Sequence, residues 1–86
     1  MINKSDSPVA WIEMIDGLVD AHEHLGELIK EIGSDPDYGE ESFAIDLGHV
    51  MAHLNRSWAR RNISRELTDQ EWDNFREFPS DLHPIA

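Results

Sequence analysis

Hydrophobic positions recur at spacings of three and four over two long stretches of this chain, the period of α-helices with one apolar face. In the first stretch Trp11, Ile15, Leu18, His22, Leu25, Ile29 and Ile32 share a face, with Ile12, Val19 and Gly26 along its edge. Glu13, Asp16, Asp20, Glu23, Glu27 and Glu31 lie opposite. Ser7 followed by Pro8 reads as an N-cap and first helical position, because the hydroxyl can accept from an orphan amide and proline lacks the donor that would be wasted there. Gly33 follows the last apolar position as a candidate left-handed C′ residue, and Ser34 to Gly39 supply turn residues. These signals predict a helix over about 8–32. The second stretch places Phe43, Leu47, Val50, Met51, Leu54 and Trp58 on one stripe and predicts a helix over about 41–62. Helices of roughly 25 and 21 residues would measure about 37 and 31 Å, and a short turn-rich link lets them return antiparallel, stripe to stripe.

A third, shorter helix has the sharpest local signature. Leu67, Thr68, Glu71 and Trp72 occupy the N′, N-cap, N3 and N4 positions of a capping box with its hydrophobic staple. The helix is expected over about 69–78, with Trp72, Phe75 and Phe78 facing inward, and Pro79 ends it. Ser80 to Ala86 should be extended, with Leu82 and Ile85 pinning the tail across the open side of the hairpin. The fold class expected is all-α: an antiparallel hairpin of two long helices plus a short third helix and an extended C-terminal tail, three-helix bundle-like, as a single domain over 1–86.

Helix two carries a second set of positions, the small residues Gly48, Ala52 and Ala59 with Ile45 at their start, well over a quarter-turn from the main stripe. Something should pack there: the chain's own third helix or tail, or a second copy admitted closely by the small side chains.

The chain has 86 residues and a formal net charge of −11, unevenly spread. Residues 1–55 hold 12 acidic side chains against Lys4 and Lys30; Arg56, Arg60, Arg61 and Arg65 then reverse the sign before an acidic C-terminal segment. So negative a surface repels nucleic acid and anionic lipid, and favours a basic protein partner. The arginines around Trp58 could grip phosphate and stack a base, but they close a helix whose C-terminal dipole favours cations, among abundant intramolecular acids. An arginine-flanked tryptophan is also the composition of a protein-binding hot spot. Cysteine is absent, which removes disulfides and thiolate chemistry. Without a signal-peptide-like start or an apolar run of membrane-spanning length, the expectation is a cytoplasmic protein.

Five histidines are the main candidate chemistry. His22 and His24 are two apart, about 200° around a helix axis, so the His22, Glu23, His24 triplet cannot converge on one ion. His49 and His53 are four apart on one face with Asp46 three residues earlier, a possible three-ligand run to which helix one is not expected to add a ligand. His49 is followed by Val50, so the His-Glu-x-x-His motif of zinc proteases is lacking. His22, central on the apolar stripe, is expected in the core opposite Met51 and Leu54.

No nucleophile with an adjacent base, glycine-rich phosphate loop or carboxylate dyad can be assembled, so the sequence points to binding without catalysis and without a cofactor. The leading reading is a small acidic, non-enzymatic protein–protein interaction module, self-associating as a homodimer or docking on another protein. Its contact residues would be Ile45, Gly48, Ala52 and Ala59 with Arg56, Trp58 and Arg60. An alternative is an acidic immunity- or antitoxin-type inhibitor of a basic enzyme, using Asp16, Asp20, Glu23 and Glu27. A further alternative is a helical metal-binding protein using Asp46, His49 and His53.

Overall fold

The computed structural model describes all residues 1–86. It is all-helical, in the order α1 (Pro8–Ser34), α2 (Glu40–Ala59) and α3 (Asp69–Asn74). The two long helices, of 27 and 20 residues, run antiparallel for about 40 and 30 Å. Glu13 meets Arg60, Gly17 meets Ser57, and His24 meets His49 and His53, which fixes the register of the hairpin.

The helix ends differ from expectation in instructive ways. Pro8 opens α1 at N1, but the Ser7 hydroxyl caps no amide. The preceding turn is closed instead by Asn3, whose Oδ1 accepts from the Asp6 amide at 2.8 Å and whose carbonyl accepts from the Ser7 amide. Gly33 takes no left-handed conformation; α1 runs through it to Ser34, whose Oγ donates to the Lys30 carbonyl. Asp35 stops the helix, its Oδ1 accepting from the Asp37 amide. At the end of α2 the Arg61 guanidinium donates to the Trp58 carbonyl at 2.9 Å, so the helix closes at Ala59, three residues before expectation. The capping box of α3 is complete: Thr68 Oγ1 accepts from the Glu71 amide, and Glu71 Oε1 accepts from the Thr68 amide. The helix ends at Asn74, four residues short of the expected Phe78.

The seam between α1 and α2 is not the expected pair of large apolar stripes. The residues of α1 buried within the molecule are Ala10, Met14, Ala21 and Leu28, joined by Gly17, a face turned about a quarter-turn from the stripe centred on Leu18. The small side chains let the backbones approach, and the approach is fixed by polar contacts. Ser57 Oγ donates to the Met14 carbonyl at 2.9 Å, and the buried Arg60 reaches Glu13 at 2.6 Å. Ile2 packs with Ala10 and Met14, flanked by Trp11 and Ile15, into a small core at the open end of the hairpin. There the Ile2 amide also donates to the Arg61 carbonyl at 2.7 Å.

The segment from Trp72 to Asp81 is tied to α2. Asn55, buried, donates to the Arg76 carbonyl; Arg56 donates to the Trp72 carbonyl and sits over the Trp72 ring at 4.1 Å. Trp72 and Phe78 are exposed where inward packing was expected, and only Phe75 is half-buried. Leu82 and Ile85 do not pin the tail, since Ile85 is 90% exposed. Asp81 holds it, accepting from the Trp58 indole at 2.9 Å and from Arg61 at 3.1 Å.

Candidate functional site

Two features stand out on this scaffold, on opposite sides of the hairpin. The first follows from the quarter-turn shift of the seam. Because the seam is built largely on Ala10, Gly17, Ala21 and Ser57, with Met14, Leu28 and Val50 as its larger buried members, most of the large apolar side chains are left outside. Leu18, Leu25, Ile29 and Ile32 of α1 and Phe43, Leu47 and Leu54 of α2 are all exposed, Ile29 by 63%. In both helices this stripe lies about 90° from the seam in the direction of increasing residue angle, and in an antiparallel pair those directions coincide, so the two stripes form one face. No Asp, Glu, Lys or Arg falls within the arc on α1, and on α2 only Glu40, at its first position, does so. His22 sits within this face, exposed, and not in a core.

On the other side three imidazoles converge. His24 of α1 meets His49 and His53 of α2, with ring centroids 4.2 Å and 5.2 Å apart, and the rings of His49 and His53 lie 4.8 Å apart. One ring nitrogen from each residue falls in a group whose members lie within 4.8 Å of one another. Nε2 of His49 and Nε2 of His53 are 3.1 Å apart, as the i, i+4 spacing on one helix face allows. His24 and His53 are half-buried and His49 is exposed. Burial, followed by the neighbouring His49, holds the His53 imidazole below its ordinary pKa, opposed by Asp20. Glu27 lies 3.8 Å from His24 Nδ1, and Glu27, Glu31 and Asp46 line a small cavity with His24 and His49.

Of the residues expected to hold a metal, the structure therefore brings together His49 and His53 and adds His24, while Asp46 stays outside the ligand group, beside it and engaged with Tyr38. Asp46 Oδ2 accepts from the Tyr38 hydroxyl at 2.8 Å, and burial together with this bond pushes the phenol up to about 12. The rejection of the His22, Glu23, His24 triplet holds as geometry, since His22 faces the apolar side. What it missed is that His24 joins histidines of the other helix. The sequence signal was available: in an antiparallel hairpin turning near residue 37, position 24 falls level with 49.

The residues expected to contact a partner separate into two groups. Arg60 is buried against Glu13, with its Nε unpartnered; Arg56 is engaged with Trp72; Trp58 is half-buried under the Arg61 guanidinium at 3.8 Å. Ala52 and Ala59 are half-buried, whereas Ile45 and Gly48 are exposed. The acidic residues Asp16, Asp20, Glu23 and Glu27 are all exposed, away from the apolar face. Asp16 and Asp20 border a cleft of about 370 Å³ that also takes in Arg56, Arg60 and the α3 residue Trp72.

No family model, curated protein or solved structure matches this chain. No helix is long and apolar enough to cross a membrane.

Proposed function

We propose that this protein is a self-associating helical interaction module in which the charge-poor faces of two hairpins pair into a four-helix assembly. The observation behind this reading is the continuous row of exposed leucine, isoleucine and phenylalanine across both long helices. Only nine of the 86 residues are buried, and no large side chain is fully enclosed. A hairpin cannot enclose an apolar core by itself, and the stable solution for two amphipathic helices is a second layer of helices.

The occupant favoured is a second copy. The face is itself long and nearly free of charge, so a two-fold arrangement sets like on like without opposing two charged patches. Helices 8–10 Å apart and about 30 Å long present a projected face of roughly 600 Å². With side-chain relief this approaches the ~800 Å² per partner of a standard interface. The carboxylates of α1 lie on the outer side of such an assembly, where its doubled negative charge stays in water. On this reading the contact lies on the main stripes and not on the Ile45, Gly48, Ala52 and Ala59 strip, of which Ala59 borders the chain's own C-terminal segment.

Sedimentation velocity over a range of concentrations tests the reading. The wild-type chain should be a dimer at micromolar concentration, and Ile29→Glu should be a monomer with unchanged helix content, because Ile29 is already in water in the single chain. Ile45→Glu, on the other side of α2, should remain a dimer. A wild-type monomer at ~100 µM, or a dimer indifferent to Ile29→Glu, would refute it.

A further inference from the structure

We propose that His24, His49 and His53 form a binding site for one divalent first-row transition-metal ion of the zinc class, which ties α1 to α2 near the middle of the hairpin. Three imidazoles and no thiolate suit Zn²⁺, Cu²⁺ or Ni²⁺ and ill suit Ca²⁺ or Mg²⁺, which take oxygen ligands. Their origin is equally apt: an i, i+4 pair gives two ligands on one helix face, and the antiparallel register supplies the third from the other helix. Ligand atoms about 2.0–2.1 Å from a tetrahedral zinc stand roughly 3.3–3.4 Å from each other. The His49 and His53 nitrogens, at 3.1 Å, are already near that spacing, and the whole set lies within 4.8 Å, so changes of about an ångström in exposed or half-buried side chains complete it.

The surroundings point the same way. A divalent charge among three neutral rings would be offset by Glu27 beside His24 Nδ1, by Glu31 and Asp46 lining the adjoining cavity, and by Asp20 near His53. A carboxylate beside the second nitrogen of a ligating imidazole is the arrangement that orients such rings and raises their basicity. Three protein ligands leave a fourth position for water or for a donor from outside the chain, and His49 lies on the solvent side of the group. His22 and His83 are excluded from the site. The first lies on the apolar side of α1; the second, exposed in the tail, is absent from the cluster.

The site is independent of self-association, because all three ligands belong to one chain and lie away from the face that would pair. Its test is calorimetric titration of tag-free full-length protein with ZnCl₂ at pH 7.5, with thermal melts of the same samples. One Zn²⁺ per chain should bind with submicromolar dissociation constant and raise Tm. His24→Ala, His49→Ala and His53→Ala should each weaken binding at least ~100-fold, and Glu27→Gln about 10-fold, the scale of an orienting group. His22→Ala and His83→Ala should bind as the wild type does. Circular dichroism of the zinc-free variants verifies that the hairpin persists; if His24→Ala unfolds, His24→Gln, which keeps the bulk, replaces it. Cobalt in place of zinc should give the intense visible bands of a four-coordinate ion, lost in His24→Gln. Absence of stoichiometric binding in the wild type would overturn the proposal. So would binding that survives removal of His24, or that is weakened equally by His22→Ala.

Discussion

The two long helices approach closely at Gly17, and this makes a quantitative prediction. A Cβ added there would collide with Ser57 Oγ, whereas Ser57 Cβ at 3.7 Å and the His53 carbonyl at 3.6 Å would be in ordinary contact. Gly17→Ala removes the cost of a mid-helix glycine, a gain of about 1 kcal/mol. It also drives a buried hydroxyl off the Met14 carbonyl, a loss of about 1–3 kcal/mol. The net expectation is destabilisation by about 1 kcal/mol. Ser57→Ala alone should cost about 1 kcal/mol for its hydrogen bond. In the Ser57→Ala background the collision is gone, so Gly17→Ala should now stabilise by about 1 kcal/mol. The sign of the same substitution thus reverses, with a coupling of about 2 kcal/mol across the cycle. Urea unfolding followed by circular dichroism, at one fixed protein concentration so that any assembly contributes equally, measures all four chains. A Gly17→Ala that stabilises the wild-type chain as much as it does the Ser57→Ala chain would refute the close approach.

Two other expectations follow. Arg65 grips Glu71 at 2.7 and 2.9 Å, and with the Thr68 amide it holds the carboxyl at about 2, well below the ordinary carboxylate range. Because the folded pKa is depressed, the stabilisation is complete above the unfolded value of about 4.5 and is lost as pH falls through about 2. Amide NMR of α3 should therefore show an acid-induced loosening in that window, which Glu71→Gln removes; an unaltered pH profile in Glu71→Gln would contradict it. At Arg60, removing the partner should cost more than removing the pair. Glu13→Ala leaves a buried guanidinium unpaired and should lose about 2–3 kcal/mol, reduced by the partial exposure of Glu13, whereas Glu13→Ala with Arg60→Met should recover most of it. Equal losses in the single and double variants would show that the ion pair has no such role.

How much of this was legible in the sequence depended on whether the signal was local. The capping box at Thr68 and Glu71 was read correctly because those two residues satisfy each other's amides without reference to the rest of the chain. The two long helices and their antiparallel return were equally plain, since periodicity and a turn-rich link are properties of consecutive residues. The rotation of those helices about their axes was not legible. Periodicity identifies the most apolar face, and Leu18, Leu25 and Ile29 lie on it; it does not say whether that face meets the neighbouring helix or remains outside. Gly17, Ala21 and Ser57 settled the matter through backbone approach and one hydrogen bond, contributions invisible to a hydropathy pattern. The same error concealed the histidine cluster, because a wrongly rotated α1 takes His24 away from His49 and His53. In the C-terminal segment the bonds of Asp81 to Trp58 and Arg61 outweighed the apolar character of Leu82 and Ile85, and sequence offers no ready measure of that competition.

The convergence of the chain's two terminal segments on Arg61 has a mechanical consequence. Its carbonyl receives the Ile2 amide and its guanidinium holds Asp81, so both segments are fastened at the end of the hairpin remote from the turn at Asp35 to Gly39. A load applied between residues 1 and 86 therefore enters at that fastening and, once it gives, opens the seam one helical turn at a time. The contacts yield in series, in the manner of a zip, and do not resist together in shear. The first element to part is the Arg61 junction, and the Asp35 to Gly39 turn is the last to feel the force.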